Sequence, residues 1–366
     1  MPVLLSGSYT AFKNSADTFI FQLFSLMQIQ GNISLRHYNT FGIDAKARYF
    51  ANFTSTDELI NLVSNYKPQT TNHKFLILGG GSNILFTKDF DGLVLKNELK
   101  GIELVKEDDT FYYVRAGAGE NWHGFVLHCI NNHYAGVENL SLIPGNVGAS
   151  PMQNIGAYGV EIKYVFEELE AYHIHDNVVQ KFSADDCAFG YRESVFKRKY
   201  KDAFVILNVT FRLRKQPLFN TTYGAIEQEL VTMNVKELSI ENISQAVINI
   251  RSSKLPDPKV IGNAGSFFKN PTISNIQFAT LKNQFPNIVG YAAGKDHTKV
   301  AAGWLIEQCG WKGYREGDAG CHAKQALVLV NYGNAKGEEI YSLSGKIIES
   351  VNQKFGIELE RDVNII

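Results

Sequence analysis

From Leu35 to Leu213 the chain alternates short apolar runs with glycine-rich breaks. KFLILGGGSNILF (74–86) sets an apolar strand, a glycine loop and a second apolar run in succession. FDGLVLKN (90–97), TFYYVRAGAG (110–119) and AFVILNVTFRLR (203–214) are rich in β-branched and aromatic residues and bounded by turn formers, which predicts strands. GENWHGFVLHCINNH (119–133) has helical periodicity instead, with Trp122, Phe125, Val126 and Cys129 on one face. After Lys215 the texture changes. ISQAVINIRSSK (243–254) predicts a helix with Ile243, Ala246, Val247 and Ile250 inward, stopped by LPDPK. KVAAGWLIEQCG (299–310) predicts a helix closed by Gly310, and QALVLVN (325–331) a strand. EEIYSLSGKIIESVNQKFG (338–356) predicts a long helix with Ile340, Leu343, Ile347 and Val351 inward and Gly356 at its end. IELERDVNII (357–366) predicts a last strand.

The expected class is α+β. Residues 1–32 read as an N-terminal extension and candidate helix, 33–215 as a β-rich glycine-loop region, 216–254 as a connecting segment and 255–366 as a smaller C-terminal domain. A 45% hydrophobic content and 20% charged content fit a soluble protein with a sizeable core. The formal net charge of −1 offers no global field for nucleic acid. FIFQLFSLM (19–27) is far short of the ~20 apolar residues of a bilayer span. It also lacks the basic start of a secretory leader, so the cytoplasm is expected. Cys129, Cys187, Cys309 and Cys321 make no C-x-x-C pair and no zinc-spaced cluster, so neither a disulfide framework nor a metal site is expected.

Two glycine blocks carry the candidate ligand chemistry. The loop Gly79, Gly80, Gly81, Ser82 and Asn83 follows a strand, where backbone N–H groups can cradle phosphate. It leads into an apolar run that reads as strand, not into a helix, which disfavours a Rossmann unit. IPGNVGASPMQNIGAYGVE (143–161) is the second block, with Gly145, Gly148, Gly156 and Gly159. Each block alone is equally well a set of turns. The pair, with AGAGE (116–120) between them, favours a large phosphate-bearing ligand.

Three further stretches place polar groups where packing does not need them. Arg192 in FGYRES is either a two-pronged carboxylate binder or a surface ion pair. Ser266 in GNAGSFFKNP lacks the final glycine of a nucleophile elbow, so it is no acyl-transfer serine. Its hydroxyl either relays a proton or bonds within a turn, and the turn is the simpler reading. Strand alternation places Glu360 and Asp362 on one face, as proton donors or a solvated edge. His322 is a lone histidine, more often structural than a ligand.

These stretches, in order, resemble the UDP-N-acetylenolpyruvoylglucosamine reductases. The matching blocks are NTFGID, LGGGSNILF, GAGENWH, GVENLSLIPGNVGASPMQNIGAYGVE, FGYRESVFK, KLPDPKVIGNAGSFFKNP, KVAAGWLIEQCGWKG and HAKQALVLVN, spread over residues 35–366. The resemblance implies an FAD-binding fold of the vanillyl-alcohol oxidase / p-cresol methylhydroxylase type with a separate substrate domain. It implies NADPH-driven reduction of UDP-N-acetylglucosamine enolpyruvate to UDP-N-acetylmuramate, in peptidoglycan precursor synthesis, by a cytoplasmic monomer that neither binds nucleic acid nor enters a membrane. Gly79–Asn83, Gly117, Gly145, Gly148, Ser150, Gly156 and Tyr158 would then hold FAD. Arg192 would bind the substrate carboxylate, and Ser266 would protonate the carbanion. The family's C-terminal acid is a glutamate two residues before an arginine. Here Asp362 takes its place and Asn364 the arginine's, with Glu360 as a substitute acid. Tyr191, Tyr223, Lys254, Asn270, Lys312 and Gln325 would meet the UDP-sugar. Tyr291 would belong to the diphosphate-covering loop of the family's longer subtype. A flavin oxidase of the same fold and a non-catalytic nucleotide-sugar-binding protein stay open beside this reading.

Overall fold

The computed structural model describes residues 29–66 and 74–366. Among them, the first sheet has the order Gln30–Ser34, Lys46–Phe53, Phe90–Asn97, Phe75–Leu78. Its first pair is antiparallel and the other two are parallel. Parallel neighbours need a crossover, and helix Thr56–Asn65 lies in it, capped by the Ser55 hydroxyl accepting from Glu58 N. Phe90–Asn97 is buried along most of its length because both faces of this sheet are covered. On one face Phe53, Leu59, Leu62 and Leu95 meet Tyr172, Val205 and Leu207. On the other, Phe50, Leu78 and Val94 share a core with Phe267, Phe268, Leu305, Ile347 and Phe355.

The second sheet is antiparallel, in the order Val178–Ser183, Phe166–His173, Phe204–Arg214, Phe111–Gly117, Ile102–Glu107. Helix Trp122–Asn131 covers it and buries all four of its predicted inward residues. Phe125 packs on Phe211 at 4.7 Å between ring centroids. Helices Ile226–Thr232 and Ile240–Lys254 then pair through Ile226, Leu230, Ala246, Val247 and Ile250. The second of them ends where Leu255, preceding Pro256, turns extended. The C-terminal part holds a sheet of Gly262–Ser266, Val328–Asn331, Ala319–Cys321 and Arg315–Glu316, and a smaller one of Thr272–Ser274, His297–Val300 and Gly290–Ala292. Helix Gly337–Phe355 buries Ile340, Leu343, Ile347 and Val351 as patterned, and Gly356 closes it at φ 64°. No helix among the described residues is long and apolar enough to cross a membrane.

Four elements differ from expectation. Residues 30–32, placed in the N-terminal extension, belong to a strand, and the candidate helix before them lies outside the described residues. The helix expected over 299–310 covers only Ala302–Gln308, because Lys299 and Val300 complete a strand paired on both sides. The strand expected over 325–331 starts at Val328, since Gln325 O accepts from Val328 N in a turn. The last strand shrinks to Asn364–Ile365, parallel to Ile84–Leu85, with one isolated bridge from Arg361 to Phe268. Burial still alternates through this segment, with Ile357, Leu359 and Val363 buried, and the Glu360 side chain is 71% exposed while that of Asp362 is 12% exposed.

Candidate active site

The two glycine blocks touch. A Cβ on Gly80 would stand 2.8 Å from Gly145 Cα, and one on Gly148 would stand 2.6 Å from Ala118 Cβ. Gly81 has φ 64° and leaves room for a Cβ only 2.0 Å from Tyr38 O, so no side chain fits at this point of the loop. Asn83 ties the first block to two other segments. Its Nδ2 donates to Gln153 Oε1 at 2.8 Å and to Asp362 O at 3.1 Å. Its own carbonyl accepts from Asn364 N at 3.2 Å and Asn364 Nδ2 at 2.8 Å. A cavity of about 480 Å³ adjoins this junction, lined by Gly79–Ile84, Met152, Gln153, Lys197 and Val363–Ile366.

Three chemical groups converge on the junction. Arg192 sits in the left-handed region at φ 56°, costly for a residue with a Cβ. Its Nη2 donates to Gly156 O at 2.9 Å, and its Nε lies 3.8 Å from Asp362 Oδ2. Asp362 is fixed by its backbone, whose N–H donates to Phe267 O at 2.8 Å. That contact pairs the acid's backbone with the residue after Ser266. The strand carrying Ser266 bulges: Asn263 pairs with Val330 and Ser266 with Val328, so the strand holds one residue more than its partner between these pairs. Gly265 absorbs the irregularity at φ 69°, with its N–H on Asn263 Oδ1 at 2.9 Å. The bulge leaves Ser266 exposed while Phe267 and Phe268 are buried beneath it. Glu360 pairs with Lys269 Nζ at 2.5 Å.

Aromatic and cationic side chains line the approach. Lys299 Nζ lies 3.5 Å from the Tyr191 ring centroid, and Tyr223 and Tyr291 face each other at 6.3 Å. Burial pushes the phenols of Tyr158, Tyr191 and Tyr223 up and the ammonium groups of Lys197 and Lys299 down. Asn270 Oδ1 accepts from Ala302 N, and Gln325 Oε1 from Leu327 N, so both carry structural bonds. Lys254 is exposed at a helix end and Lys312 pairs with Glu307 at 2.9 Å. His322 is half-buried, and its Nδ1 has no hydrogen-bond partner among the described residues. Lys197, Lys299 and Arg251 were missed from sequence. Lys197 stands five residues after Arg192 in the same block, which was its available signal.

Two family models match the chain: an FAD binding domain over residues 47–176 and the UDP-N-acetylenolpyruvoylglucosamine reductase C-terminal domain over 257–366. Reductases of that name from Flavobacterium johnsoniae and Amoebophilus asiaticus are 51% and 52% identical to it, over 93% of this chain and 100% of each relative. The chain belongs to the UDP-N-acetylenolpyruvoylglucosamine reductase family. The crystal structure of the Thermus caldophilus reductase, 21% identical, covers 92% of this chain and 98% of its own at a TM-score of 0.63, a likeness of fold.

The residues present fit the FAD that this reductase family's fold calls for. Ser150 Oγ is buried at the second glycine block without a hydrogen-bond partner among the described residues, a polar group awaiting a ligand. Arg251 lies beside Tyr158 and reaches Leu142 O at 3.3 Å, adding a cation to the same wall. The Asn364 side chain is held by Asn83 O at 2.8 Å.

Proposed function

We propose that this reductase converts UDP-N-acetylglucosamine enolpyruvate to UDP-N-acetylmuramate for peptidoglycan precursor synthesis, with FAD as bound cofactor and NADPH as reductant. The observation that supports the reading is the contact of Arg192 with Asp362, whose backbone bonds the glycine-loop residue Asn83 and the residue after Ser266. FAD, when bound, would supply the hydride, with NADPH as its source and the terminal methylene carbon of the enolpyruvyl group as its acceptor. Negative charge then develops on the neighbouring carbon and its carboxylate. Arg192, held at the site's edge by Gly156 O, offers that carboxylate a fixed guanidinium. Ser266, aimed outward by its bulge, gives its hydroxyl proton to the carbon, and Asp362 is the nearby acid. A hydroxyl is a weak acid in water, so placement carries its reactivity.

Tyr191, Tyr223 and Tyr291, with Lys254, Asn270, Lys312 and Gln325, form the nucleotide-sugar side, and Tyr291 assigns the chain to the longer subtype. Residues 33–215 serve the cofactor, 216–254 connect, and 255–366 serve the substrate, in a cytoplasmic monomer. Anaerobic half-reactions test the reading. NADPH should bleach the yellow protein, and the enolpyruvyl substrate should restore its colour. Bleached protein that stays colourless with that substrate but recovers with oxygen alone sinks the proposal.

A further inference from the structure

Lys197 has no role in the chemistry described above, yet it stands at its centre. It closes the short turn Val195–Lys197, which is anchored by Ser194: that hydroxyl donates to Met152 O at 2.7 Å and accepts from Phe196 N at 3.3 Å. The turn thereby fixes where the lysine stem leaves the backbone. Lys197 Nζ donates to the carbonyl of Arg192 at 3.3 Å and lies 3.9 Å from Asp362 Oδ1. Two features make these contacts consequential. Arg192 holds a left-handed backbone that its own side chain opposes. Asp362 Oδ1 is buried and has no hydrogen-bond partner among the described residues, so the nearest compensating charge to that oxygen is the lysine's. The ammonium is itself half-buried, and burial pulls its pKa down while Asp362 opposes that shift.

We propose that Lys197 is a positioning residue for the second half-reaction. Its hydrogen bond locks the Arg192 backbone in the conformation that presents the guanidinium, and its charge keeps the Asp362 carboxyl turned toward that guanidinium. Lysine does here what a fixed dipole cannot, because one flexible stem reaches both a carbonyl and a carboxylate. The inference rests on the roles of Arg192 and Asp362 proposed above.

The test uses the full-length, flavin-loaded protein and three substitutions. Lys197→Met removes both contacts, Lys197→Gln keeps a donor for the carbonyl without charge, and Lys197→Arg keeps both. Each variant is reduced with NADPH and then mixed anaerobically with UDP-N-acetylglucosamine enolpyruvate. Lys197→Met should slow reoxidation at saturating substrate at least about 10-fold while bleaching stays within about 3-fold of the parent. Lys197→Gln should be intermediate, and Lys197→Arg should recover to within about 3-fold. The proposal is overturned if Lys197→Met reoxidises at the parent rate, or if Lys197→Arg is no better than Lys197→Met when both hold flavin. Should Lys197→Met fail to hold flavin, equal rates for Lys197→Gln and Lys197→Arg overturn it instead. Failure of the parent protein to be reoxidised by the substrate would indict the underlying function, not the lysine.

Discussion

Asn83→Ala is the sharpest test of how the site is assembled. The side-chain amide donates to Gln153 Oε1 and to Asp362 O, joining both glycine blocks to the acid-bearing segment. Alanine removes both bonds and leaves two acceptors to find water in a half-buried place. At a net ~1 kcal/mol per hydrogen bond, the loss is about 2 kcal/mol. Unfolding entropy of about 2.1 cal/mol/K per residue gives ~0.8 kcal/mol/K for a chain of this length, so Tm should fall about 2–3 °C if unfolding is a single transition. The functional loss should exceed the thermal one, because the removed bonds hold the glycine loop, the proposed flavin cradle, against Asp362. Differential scanning fluorimetry gives the first number. Flavin released on dilution, followed by its fluorescence, gives the second. A Tm within 0.5 °C (roughly the resolution needed for such a shift) together with parental flavin retention would refute the tie.

Ser266→Ala should keep NADPH-driven bleaching and lose reoxidation by the enolpyruvyl substrate by about 10²–10⁴-fold, the usual range for a positioned proton donor. If both half-reactions survive, the serine's role is wrong. Asp362→Ala should impair the same second half-reaction, whereas Glu360→Ala, on an exposed side chain paired with Lys269, should leave it within about 2-fold. The reverse ranking would move the acid to Glu360. Burial raises the pKa of Glu138, against backbone N–H groups including Gly136 N at 2.7 Å. The unfolded chain therefore ionises this carboxyl first, and the folded protein loses stability as pH rises from the ordinary carboxylate range toward the folded pKa. Glu138→Gln keeps an acceptor for Gly136 N. Its urea stability should gain on the parent between pH 5 and pH 7, and an unchanged difference would contradict the assignment.

Much of this was legible in sequence where one local rule governs one element. The faces of helices Trp122–Asn131 and Gly337–Phe355 followed from 3.6-residue periodicity because each packs a single stripe on a sheet. The loop at Gly79–Asn83 followed from its glycines, one of which has positive φ. The end of the chain forms less strand than its alternation suggests, because only the bridge from Arg361 to Phe268 and the pairing of Asn364–Ile365 with Ile84–Leu85 find partners, and tertiary pairing of that kind leaves no period in the sequence. The same holds for Lys299, whose place in a strand is set by partners on both sides. Ser266 looked like a turn serine because the bulge that exposes it is made by register against Val328 and Val330. Lys197 was invisible for another reason: a lysine is normally solvated, and only the fold shows it half-buried against Asp362.

The core shared by Phe50, Leu78 and Val94 with Phe267, Phe268 and Phe355 has a consequence for how the protein is born. The first sheet emerges early in synthesis with one face bare, and the residues that cover it are made only after most of the chain. Until then that face is open to other chains, a state that favours aggregation and chaperone capture. A fragment ending near Lys215 would keep the glycine loop but expose this surface permanently. The matched FAD-binding and C-terminal domains divide along the sequence, but the core does not, and flavin capture should mark the completion of the chain and not of its first half.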